Sequence, residues 1–219
     1  MSDLIEADYD ILPLLSRFSL PLGFGAKTVG QLCDDAGIDC NVFLLTVNFI
    51  LSDEIDPKRL AVADALAVAR FLHNSHEYYL DYKYPHIRAN LMAALDPIHA
   101  DINPVIVRYF DDYIEGVRAH FDYEERNLFP YVEALAEGGD TGGYKADSFV
   151  KQHDHDVEAK LCEMKNIIMR YYPTSVPFKM YDVLVDLFNC EADLREHSEV
   201  EDRILVPVLR RLEKERRKP

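Results

Sequence analysis

The chain has 219 residues, 48% of them apolar, enough to bury a sizeable core and too many for a disordered tail. Its 39 acidic side chains outnumber 24 basic ones, and the resulting formal charge of -15 repels phosphate backbones, so nucleic acid is not an expected partner. No apolar run approaches membrane-spanning length, the opening MSDLIEADYD shows no signal segment, and the expected setting is the cytoplasm without membrane attachment.

Residues 1–56 read as a small helical N-terminal appendage. Thr28 can cap a short helix through Val29, Leu32 and Cys33 that ends near Gly37, and Asp39 can cap a second through Phe43, Leu44 and Val47. The pair has the outline of a helix-turn-helix. Its only basic residues are Arg17 and Lys27, however, against a surplus that includes Asp3, Glu6, Asp34, Asp35 and Asp39, the opposite of a phosphate reader. It is expected to act as a lid or to meet a protein partner.

Asp56-Pro57 is a cap followed by a first-turn proline and opens the main domain, 57–219. Helix A carries a stripe of Val62, Leu66, Ala69, Leu80, Ile87 and Leu91, with a bend expected at Pro85. Asn103-Pro104 opens helix B, with Ile106, Tyr109, Tyr113 and Val117 at helical spacing. GGDTGGY (138–144) is a loop. Helix C follows with Val150, Val157, Leu161, Met164 and Ile168, and after the loop YPTSVP (172–177) helix D runs through Leu187, Cys190, Leu194, Leu205 and Val208. Four amphipathic helices with short connections predict an all-α, up-down-up-down four-helix bundle. The four cysteines, Cys33, Cys40, Cys162 and Cys190, lack a paired spacing and are expected to be reduced, the last two in the core.

Two segments repeat each other. His120-Phe-Asp-Tyr-Glu124-Glu-Arg126-Asn-Leu128-Phe-Pro130 aligns with His197-Ser-Glu-Val-Glu201-Asp-Arg203-Ile-Leu205-Val-Pro207. Residues four apart on a helix project from one face, so each copy aims an imidazole and a carboxylate the same way. That way is inward, because both pairs continue the apolar stripes of helices B and D. Buried carboxylates that face each other are costly unless cations sit between them. Glu124 and Glu201 can therefore bridge two metals, with a histidine terminating each.

The remaining helices should add histidines. His73 lies on the helix A stripe, with His76 one turn on and near enough to be a ligand or to hold one by a hydrogen bond. On helix C, His153 shares the stripe of Val150, Val157 and Leu161, and His155 is the alternate on the more polar side. His86 and His99 have less support as ligands, and His99, just before the turn between helices A and B, reads as a loop histidine.

These residues are where the chain, over about 57–212, resembles the hemerythrin-like His-His-Glu cation-binding family. The LFP and LVP endings and Phe71-Leu-His73-Asn-Ser-His76-Glu77 look like the di-iron proteins that repair iron centres. The resemblance implies a hemerythrin-like bundle holding two non-haem iron ions on His73, His120, Glu124, His153, His197 and Glu201, with both glutamates bridging; manganese or zinc suit the same donors. Oxygen carriers of the family have a second histidine at +4 on helix C, where Val157 stands here, and fewer imidazoles leave positions open for reaction. The implied function is binding or reduction of nitric oxide, oxygen or peroxide in oxidative or nitrosative stress, in support of iron–sulfur cluster repair. The alternative is a di-iron sensor of oxygen or nitric oxide that signals through residues 1–56. Enzyme and sensor are both compatible with the residues.

Overall fold

The computed structural model describes residues 1–52, 62–152, 156–175 and 177–216, and these form helices and turns with no strand. The Asp56-Pro57 boundary, His153 and His155 lie outside the described residues, as do the side chains of Val62 and Val157. The helices are α1 (Ser2–Ala7), α2 (Ile11–Arg17), α3 (Val29–Ala36), α4 (Cys40–Ser52), α5 (Val62–Glu77), α6 (Tyr84–Ala94), α7 (Asn103–Tyr123), α8 (Phe129–Glu137), α9 (Ala146–Gln152), α10 (Asp156–Tyr171), α11 (Pro177–Val200) and α12 (Val206–Arg216). The architecture is all-helical, as expected, with short N-terminal helices preceding the long ones.

The chain forms two compact units. One comprises His76–Glu124 and 152–197, and is a bundle of α6, α7, α10 and α11. Its core holds Tyr84, Ile87 and Leu91 from α6, Phe110, Tyr113 and Val117 from α7, Leu161, Met164 and Ile168 from α10, and Val183, Leu187 and Cys190 from α11. The Tyr84 and Tyr113 hydroxyls bond to each other at 3.1 Å inside it, which satisfies two polar groups that burial would otherwise strand. Both connections of this unit meet at one end. There the Asp96 backbone N–H donates to the Tyr172 hydroxyl (2.7 Å), which donates to Asn103 (2.8 Å), and Ser175 N–H donates to the Asp96 carboxylate (3.1 Å).

The other unit comprises Met1–Ser75, 125–151 and 198–219. Its first helices follow the capping chemistry expected of them. Thr28 and Gln31 close a reciprocal capping box at α3, Gly37 ends that helix in the left-handed region (φ 66°), and Asp39 accepts from the N–H groups of Asn41 and Val42 at the start of α4. Phe18 packs between Phe43 of α4 and Phe71 of α5, with ring centroids 5.1 and 4.7 Å away. At the chain's far end Glu213 of α12 accepts from both the Tyr131 hydroxyl and the Ala146 N–H that opens α9.

All four cysteines are free thiols; Cys190 is in the core as expected, but Cys162 is exposed on α10, one residue past buried Leu161. Helix A is interrupted more than bent. A π-helical turn, Tyr78–Lys83, separates α5 from α6, and two others, Glu124–Leu128 and Glu201–Leu205, join α7 to α8 and α11 to α12. Each ends two residues before a proline: Pro85, Pro130 and Pro207. Proline has no N–H for the residue four back and clashes with that carbonyl; a turn widened to i→i+5 bonding removes the clash without ending the helix.

Candidate metal centre

The repeated segments place their chemistry at these π turns. His120 lies in the last turn of α7 and Glu124 is the first residue of the π turn after it; His197 and Glu201 stand in the same relation on α11 and the turn that follows. His120, Glu124, Leu128 and Val132 are spaced by four, as are His197, Glu201, Leu205 and Leu209. A regular α-helix would drift about 40° at each such step, but the wider π turn offsets that drift and keeps carboxylate and leucine inward. Glu124, Leu128, Glu201 and Leu205 are each fully buried.

His76, Glu124, His197 and Glu201 form a buried cluster in which one ligand atom from each lies within 4.8 Å of all the others. His76 Nε2 is 3.0 Å from Glu124 Oε2, while His120 Nε2 is 2.7 Å from the other oxygen, Oε1. One carboxylate thus meets two imidazoles on separate oxygens. Burial is the largest influence on the Glu124 carboxyl and opposes its charge, yet the hydrogen bonds and charge of His120 and His76 outweigh it and hold its pKa well below the ordinary range. Aromatic walls fix the rings: Phe121 stacks on His76 at 4.0 Å and lies 5.4 Å from His197, which also meets the edge of Tyr79 at 6.0 Å.

The donor set fits a cation. Imidazole nitrogens and carboxylate oxygens suit iron, manganese or zinc, and the atoms are too closely gathered for a larger ligand. Two carboxylates this close in a buried setting repel strongly, and a dication among them removes that repulsion.

Of the expected ligands, the structure brings Glu124, His197 and Glu201 together and sets His120 against Glu124. It does not bring His73 to them. That side chain is 47% exposed and its Nδ1 bonds Glu125 at 2.8 Å; His76 occupies the inward position instead. The cause is the phase of α5. Its buried positions are Asp64, Ala65, Val68, Ala69, Phe71, Leu72, Ser75 and His76, followed by Tyr79 in the π turn, whereas Leu66 and Leu80 are only half-buried. The sequence carries a signal for this register: His76 to His120 spans 44 residues (120 − 76), equal to His153 to His197 (197 − 153), while His73 gives 47 (120 − 73). His86 is exposed, and His99 sits in the turn before α7 against Tyr172.

The sequence model of the family described as hemerythrin HHE cation binding domain matches residues 70–209. No curated protein and no solved structure matches the chain.

Proposed function

Because the chain belongs to the hemerythrin HHE cation-binding family, we propose that it holds two iron ions and uses them on a small diatomic molecule or peroxide. His76, His197, Glu124 and Glu201 would hold one ion and His120, with the His153 expected from the sequence, would serve the second, the two glutamates being available to both. The observation that carries this reading is the division of Glu124 between two imidazoles, one on each oxygen. Bound there, an iron pair supplies single-electron redox steps and coordination positions for nitric oxide, oxygen or peroxide.

The chain's own residues set the terms. Two carboxylates would offset much of the cations' charge, four imidazoles would complete the donor set, and Phe121 and Tyr79 wall the histidine rings. Such a site suits reduction of nitric oxide or peroxide under oxidative or nitrosative stress, with iron–sulfur cluster repair as one use of it. A second reading, sensing, draws on a separate observation. Arg203, within the π turn that begins at Glu201, lies over the Phe49 ring of α4 at 4.7 Å, so the ligand-bearing turn touches the N-terminal helices.

Metal analysis of protein purified from iron-supplied cells tests the site: about two irons per chain are expected, and Glu124→Ala should lose both rather than one. A folded protein that takes up no metal on reconstitution overturns the reading. Sustained consumption of nitric oxide or peroxide with a supplied reductant separates the enzyme from the sensor, which would bind once without turnover.

A further inference from the structure

Helix α11 is apolar on two opposite faces. Met180, Val183, Leu187, Cys190 and Leu194 are buried in the bundle core. Phe178, Tyr181, Val185 and Phe188 are 63%, 61%, 58% and 45% exposed. Each outward residue stands two before an inward one, about 200° around the helix. The outward set steps by three, four and three, the a/d spacing of a helix that packs lengthwise on another helix. A helix apolar on both sides is ordinarily buried on both sides, and within the bundle α11 is covered on one alone.

The edges of this stripe balance, with Lys83, Lys165 and Lys179 beside Asp182, Asp186 and Glu191, although the chain carries -15 overall. Asp186 is paired with Lys83 at 2.8 Å, and Glu191 with Lys165, whose ammonium sits over the Phe188 ring at 3.9 Å. Met169, one turn from Lys165 on α10, is 50% exposed as well. With aromatic side chains of about 150–250 Å² each, the patch exposes on the order of 500 Å², more than singly scattered apolar residues would give. Two such patches face to face bury about 1,000 Å², the lower bound for a specific interface.

We propose that two copies of this chain associate through the outward face of α11, packed lengthwise about a two-fold axis. A stripe of a/d spacing is its own complement, so one patch repeated by symmetry makes a closed, isologous contact. The balanced flanks let two acidic molecules meet there with little net repulsion, and Lys179, one turn before exposed Asp182, offsets the charge of that carboxylate. At this area the dimer is a micromolar one, dissociating on dilution.

Sedimentation equilibrium of the full, metal-loaded chain tests this over roughly micromolar to hundreds of micromolar concentrations. A monomer–dimer equilibrium is expected, and Val185→Asp should raise its Kd by at least about 30-fold, since a charge would be placed at the centre of the seam. Val105→Asp, at an exposed apolar position of α7, should leave Kd unchanged. Both sites are on the surface, so circular dichroism should show the helicity of the parent in each variant. A parent that stays monomeric throughout, including one whose stripe serves a different protein, overturns the proposal; so does a dimer that Val185→Asp weakens no more than Val105→Asp.

Discussion

Three residues along α5 rotate a side chain by about 60°, and for the two histidines of that helix the rotation decides their chemistry. His76 is 3% exposed, with Nε2 at 3.0 Å from Glu124, while His73 reaches Glu125 from the half-exposed side. Replacing His76 by Ala should weaken iron binding by more than the roughly 10–100-fold typical of losing an outer hydrogen-bond partner to a ligand. His73→Ala should cost tenfold at most, because its contact is to Glu125, the residue after the buried Glu124. Iron per chain after reconstitution against a graded chelator measures both. Equal losses in the two variants would mean that α5 presents both rings to the metals and that the buried register described above is not the one that binds.

At the scale of elements, the prolines and the π turns belong together. Pro130 is exposed and makes no packing contribution that explains its place, whereas the π turn before it sets the direction of Glu124. Pro130→Ala restores an N–H that can bond the Arg126 carbonyl, which favours an ordinary α turn and rotates the residues ahead of it. The metal-free protein should then gain about 1 kcal/mol in thermal unfolding while iron content falls, a stability–function exchange. Unchanged iron content would show that the π turn persists without its proline. Much at this scale was legible beforehand. Helix order, the caps at Thr28 and Asp39, the stop at Gly37 and the repeated His-x-x-x-Glu all act through neighbours in sequence, and local chemistry suffices to find them. The phase of α5 was not, because Ser75 is buried with its hydroxyl donating to the Phe71 carbonyl at 2.8 Å and reads as polar, while Leu66 and Leu80 are apolar and only half-buried. The second apolar face of α11 also escapes a search for one stripe per helix.

At the scale of the whole molecule, the helices of residues 1–52 supply cover. Phe18 fills the space between Phe43 and Phe71, the Asn74 side chain donates to the Arg17 carbonyl at 2.6 Å, and the Arg203 guanidinium rests on Phe49. Phe71, five residues before His76 on the same helix, is 2% exposed with the Phe18 ring packed against it. Every proposed ligand lies downstream of residue 57, so a chain starting at Pro57 keeps the donor set and should still take up iron at saturating supply. What it loses is stability. Re-exposing Phe71 alone costs about 1.5–3 kcal/mol, and the neighbouring Leu72 and Val68, fully buried in the intact chain, add to that. At roughly 2–4 °C per kcal/mol for a chain of this size, the shortened protein should melt about 10 °C or more below the full-length one, with iron lost at lower chelator concentration. Scanning calorimetry of the two metal-free proteins separates the contributions: the gap in melting temperature should persist without iron, because its origin is apolar cover. A gap that appears only in the iron-loaded proteins would instead make the N-terminal helices part of the metal site's closure, and an absent gap would show that α5 keeps its own face buried without them.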